Sequence, residues 1–134
     1  MKIPKPQSVN FNDQEYSCAY KVVRSDMTSL GLRNNPTPMK FYMGNWIYLP
    51  EGDEVEGISD YGGIWLARTK GRARSYKKYM ANQHGAETRV FLSLIDRVLF
   101  INQDRVKTNG LRLIEELDIS IWFVFVANAL QQSL

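Results

Sequence analysis

The chain has a single cysteine, Cys18, and a single histidine, His84, and each scarcity excludes chemistry. One cysteine cannot close an internal disulfide or supply a C-x-x-C pair for zinc or redox work, which fits a reducing compartment. A lone histidine beside Gly85 reads as the end of a helix, because a catalytic base needs positioned partners and none is specified. There is no G-x-S-x-G elbow, no G-x-x-x-x-G-K-[ST] loop and no H-E-x-x-H pair, so a hydrolase triad, a phosphate loop and a zincin lack support. No metal is expected. The one strongly apolar run, Ile119 to Val126, falls well short of the roughly 20 residues of a membrane-spanning helix. Nor does an apolar stretch of signal-peptide length follow Lys2 and Lys5. A soluble, cytoplasmic protein with no membrane partner is the expectation.

Apolar residues are plentiful by contrast. Hydrophobic residues make up 44% of the chain and aromatics 12%, enough to offset the entropy of ordering one core. With no internal repeat and no obvious linker, residues 10–134 are expected to form a single domain, with residues 1–9 as a flexible tail containing Pro4 and Pro6. The net charge of +3 is unevenly spread. Arg68, Lys70, Arg72, Arg74, Lys77, Lys78 and Arg89 face only Glu87 within one segment, directly after the acidic stretch holding Glu51, Asp53, Glu54, Glu56 and Asp60. Such asymmetry attracts anionic ligands, although most charge runs only solubilise a face.

β-formers over Tyr16–Arg24 predict a first strand, on which Cys18 is a small core residue. A short helix or turn stopped by Gly31 should follow. Pro36 and Pro38 then mark a loop. A second strand is predicted over Lys40–Leu49, with Gly44 as a bulge or break, and a short buried strand over Ile64–Ala67. Thr69 can cap a helix running to about Gln83, with Ala73, Tyr76, Tyr79 and Met80 on one face and Lys70, Arg74, Lys77 and Lys78 on the other. Gly85 supplies its stop. Val90–Ile95 and Val98–Ile101 read as strands, Asn109–Leu117 is compatible with a helix or a strand, and Ile119–Val126 is expected as a buried central strand. The fold class expected is α+β, with a mainly antiparallel sheet, whole or split, and one or two packed helices.

Gly63-Ile64-Trp65-Leu66-Ala67, with Tyr76 nine residues beyond Ala67, resembles the ADP-ribosyltransferase family, in particular its poly-ADP-ribose polymerase branch. That branch has a Gly-Ile-Tyr-Phe-Ala strand followed by a helix bearing the tyrosine that stacks on nicotinamide. Gly31-Leu32-Arg33 and Val90-Phe91-Leu92-Ser93-Leu94 are similar to the family's segments on either side, so the resemblance spans about Tyr20 to Ile101. It implies NAD as substrate, with Tyr76 as the stacking platform, Tyr20 and Trp65 beside it, and Lys21 or Arg24 on the phosphates or ribose. Asp104 is the nearest counterpart of the family's glutamate, with Glu115 behind it. The sequence departs from the pattern in having lysine or arginine at the end of the first strand, Ala73 in place of a small hydroxyl residue, and no glutamate at the expected strand.

Two function classes follow. One is an NAD-dependent ADP-ribosyltransferase, or a protein of that fold, modifying a protein or nucleic-acid acceptor as a toxin would. The other is a non-enzymatic binding protein or inhibitor acting through the basic helix face or the apolar C-terminal segment, the latter also a route to homo-oligomers.

Overall fold

A computed structural model describes residues 4–32 and 38–120. Its centre is β2 (Gln14–Arg24), a strand whose last residues are almost wholly buried because Ala19, Val23 and Phe91 pack on one face of the sheet while Tyr20, Val22 and Val90 pack on the other. Its neighbours are β5 (Thr88–Ile95), paired antiparallel from Cys18↔Leu94 to Arg24↔Thr88, and β1 (Gln7–Phe11), paired from Gln7↔Cys18 to Phe11↔Gln14. Residues 7–9, assigned to a tail by the sequence, therefore belong to the sheet, where pairing with β2 satisfies their backbone.

The sheet continues on one side through β8 (Gly110–Leu117) to β3 (Trp46–Tyr48), and on the other through β4 (Ile64–Ala67) and β7 (Arg105–Thr108) to β6 (Val98–Ile101). All pairings between these strands are antiparallel. The two halves meet at one point, since β2 and β4 share a single paired position, Tyr20↔Ala67. The sheet is open beside that pair.

Among the described residues there is one α-helix, α1 (Lys70–His84). Thr69, in extended conformation, accepts a hydrogen bond from the Arg72 N–H at 3.2 Å, and Gly85 ends the helix with φ +59°. The Gly85 and Ala86 N–H groups donate to the carbonyls of Ala81 and Met80, closing a Schellman-type stop. Ala73 and Met80 are fully buried, and Ala73 joins a cluster with Tyr20, Val22, Ala67, Val90 and Ile119. Tyr79, expected on the same face, is 48% exposed and meets the edge of His84.

Other expectations changed. Of the short helix or turn expected after Arg24, the turn is what forms, with Met27 at φ +68° and an isolated bridge between Thr28 and Lys40. The strand expected over Lys40–Leu49 contracts to β3, because Gly44 at φ +82° interrupts it. Asn109–Leu117, left open between helix and strand, is strand from Gly110 onward. Of the apolar segment Ile119–Val126, Ile119 is buried and Ser120 exposed, neither in a strand, and the rest lies outside the described residues. No helix among the described residues is long and apolar enough to cross a membrane.

Candidate functional site

The opening between β2 and β4 holds a cavity of about 720 Å3, a size suited to a small-molecule ligand. Lys21 and Val22 of β2 form one side, Gly63 to Ala67 the other, and Tyr76 of α1 closes one end. The loop residues Leu30, Gly31 and Leu32 and the segment around Phe41, between two isolated bridges, contribute to the wall with Asp53, Asp60, Tyr61 and Arg105.

Lys21 is the most constrained group there. It is only 6% exposed, its Nζ donates to the Trp65 carbonyl at 2.8 Å, and it stands 5.0 Å from the centroid of the Phe41 ring. Burial pulls its pKa down to about 8, because a low-dielectric setting disfavours the ammonium. The hydrogen bond reaches across the sheet opening beside the Tyr20↔Ala67 pair, from one residue past Tyr20 to two residues from Ala67.

Trp65 is fixed at several points. Its Nε1 donates to the Asp60 carbonyl at 3.2 Å. Phe100 lies edge-on with ring centroids 6.0 Å apart, and the Arg105 guanidinium covers the indole at 4.2 Å. Lys107, paired with Trp65 in the sheet register, is fully buried and donates to the carbonyls of Ile58 at 2.9 Å and Tyr61 at 3.0 Å. Its chain runs so close over Gly63 that a Cβ there would lie 2.1 Å from Lys107 Cγ, which ties the first residue of the Gly-Ile-Trp-Leu-Ala strand to the absence of a side chain.

The structure brings Lys21, Trp65 and Tyr76 together on one cavity, and Tyr76 is half-buried there. Three other expected site residues lie elsewhere. Tyr20 is buried under α1, with its hydroxyl donating to Gln7 Oε1 at 3.2 Å. Arg24 turns to the following loop, where its Nε donates to the Leu30 carbonyl at 3.2 Å. Asp104 is half-exposed and paired with Arg72 of the first helical turn, its Oδ1 2.9 Å from a guanidinium nitrogen. The carboxylates on the cavity wall are Asp53 and Asp60 instead. Glu115 lies on the exposed part of β8 and does not line the cavity.

Arg105 is a cavity-lining residue that sequence reasoning missed. Its signal was available in the β-former pattern around Val106, but only the register of β4 against β7 shows that this side chain lands on Trp65. On the outer face of α1, Lys70 and Arg74 are exposed, whereas Lys77 donates to the Thr88 carbonyl at 2.6 Å. No group of three or more histidine, cysteine or acidic residues suited to a metal is found among the described residues. Compared with protein-family models, with curated proteins and with solved structures, the chain matches none.

Proposed function

We propose that the chain is an ADP-ribosyltransferase-fold protein that holds NAD in the cavity between β2 and β4. The observation carrying this reading is that Gly31, Lys21, Trp65 and Tyr76, far apart in sequence, line one cavity of dinucleotide size. Tyr76 is the platform for nicotinamide, and Lys21 is the cation facing the phosphates or ribose. The reaction is attack by an acceptor nucleophile or water on the ribose carbon, forming a bond to that carbon and losing a proton as the bond to nicotinamide breaks and nicotinamide leaves neutral, through a transition state with positive charge on the sugar. A carboxylate near the ribose stabilises that charge and an aromatic platform holds the leaving group. Asp104 is engaged by Arg72, and Asp60 and Asp53, which line the cavity, are the carboxylates we assign to that role.

The test is incubation of the purified chain with NAD, following release of nicotinamide and labelling of added protein and nucleic acid. Release that disappears in Tyr76→Ala supports transfer or hydrolysis. NAD binding without any release supports a protein of this fold that binds without turnover.

A binding module acting through α1 is the second reading, favoured by the exposure of Lys70 and Arg74 without an ion-pair partner among the described residues. An anionic partner held there must lose affinity steeply with salt, as each neutralised phosphate releases counterions.

A further inference from the structure

Arg105 is half-buried on the cavity wall, yet no carboxylate pairs with it among the described residues. Its polar side-chain partner is neutral, the Ser59 carbonyl at 3.1 Å, which occupies one of five N–H donors. Its guanidinium carbon lies over the Trp65 ring, 4.2 Å from the centroid. The sheet dictates this placement, because Arg105 stands opposite Ala67 and so lies diagonal to Trp65 on the same face.

Lys21 shares these properties, being buried, lining the same cavity and bonded to a neutral carbonyl, that of Trp65. One residue thus organises two cations, Lys21 through its backbone oxygen and Arg105 through its ring. A partly desolvated cation without a counter-charge is unfavourable, and an anion entering the cavity relieves that cost. A planar fork with free donors suits the paired oxygens of a phosphate, whereas an ammonium acts as a point charge. Asp53 and Asp60 also line the cavity, and neither carboxylate forms an ion pair with Lys21 or Arg105.

We infer that Arg105, held on the Trp65 ring, is a phosphate-binding and specificity-determining residue, so that the cavity selects ligands carrying a diphosphate over the neutral nucleoside. This rests on the proposed nucleotide occupancy and extends it to a residue outside the family resemblance.

The experiment is calorimetric titration of ADP-ribose, adenosine and inorganic pyrophosphate into the full chain and into Arg105→Gln and Arg105→Lys, with thermal melts to confirm folding. Wild type should bind ADP-ribose at least about tenfold more tightly than adenosine, the difference expected of one charge-assisted contact or more. Arg105→Gln should lose about tenfold for ADP-ribose while adenosine shifts by less than about twofold, and Arg105→Lys should recover part of the loss. Should Arg105→Gln fail to fold, a weakening specific to ADP-ribose in Arg105→Lys carries the test. Unchanged ADP-ribose binding in a folded variant overturns the inference and leaves NAD occupancy standing. Pyrophosphate binding that depends on Arg105, without binding of ADP-ribose or NAD, supports the anion site and removes the NAD reading. No binding of any of the three to folded wild type overturns both.

Discussion

Lys21 and Trp65 join the two halves of the sheet where the sheet itself does not: the lysine Nζ donates to the tryptophan carbonyl at 2.8 Å, one residue beyond Tyr20 on β2 and two from Ala67 on β4. The Trp65 carbonyl accepts from a buried cation, and that cation is part of a cavity wall. The same feature that opens the sheet therefore charges the opening.

Stability should carry the signature of Lys21. Its folded pKa of about 8 lies below the ordinary lysine value of 10.5, so the native state binds fewer protons than the unfolded state between those values. Stability contributed by this group therefore rises with pH from about 8 to 10.5, by on the order of 3 kcal/mol at most. Urea unfolding across that window should give a steeper rise for wild type than for Lys21→Met, and equal slopes would contradict a buried lysine.

Tyr76→Ala should weaken NAD binding by about 1–3 kcal/mol, the range for loss of one aromatic stacking partner. Tyr76 is also packed against the cluster around Tyr20 and Val22, so the melt must be followed alongside calorimetry. Tyr76→Phe should keep most of the affinity, because stacking uses the ring. A folded alanine variant with wild-type affinity would remove Tyr76 from the site.

Asp104→Asn should be nearly silent. Its partner Arg72 and Asp104 itself are both about half-exposed, and exposed ion pairs contribute about 0–1 kcal/mol. NAD affinity should change by less than about twofold, well below the range for losing a direct charged contact. Asp60→Asn should instead reduce nicotinamide release, and the opposite ranking in that assay would return the catalytic role to Asp104.

Gly63→Ala should destabilise the wall from below. The added methyl would meet Lys107 Cγ at 2.1 Å, and Lys107 holds the carbonyls of Ile58 and Tyr61. Overpacking of this kind costs about 1–3 kcal/mol. Chemical denaturation should show that loss, whereas Gly57→Ala, with open space around its Cβ position but φ +80°, should show backbone strain without disturbing Trp65 fluorescence.

Much of the architecture was legible locally. Thr69 and Gly85 marked the helix ends, and the apolar run from Ile64 to Ala67 marked a buried strand, because capping and burial leave direct traces in residue type. The first residues of the sheet were missed since Pro4 and Pro6 suggested a tail while the pairing of β1 depends on β2, which local pattern does not reveal. The Gly-Ile-Trp-Leu-Ala spacing to Tyr76 singled out two cavity residues. Arg24, Tyr20 and Asp104 went elsewhere for reasons set by three-dimensional neighbours: a loop carbonyl, a helix packed above, and Arg72 one turn into α1. The β-formers around Val106 hinted at a strand, but the placement of Arg105 on Trp65 depends on strand register, which local pattern does not show.

The most direct measurement is a crystal structure of the chain soaked with millimolar NAD. The expected result is density in the opening between β2 and β4, with nicotinamide against Tyr76 and the diphosphate within hydrogen-bond distance of Arg105 or Lys21. NAD bound elsewhere, or a cavity left without ligand density at saturating NAD, would contradict the proposed site.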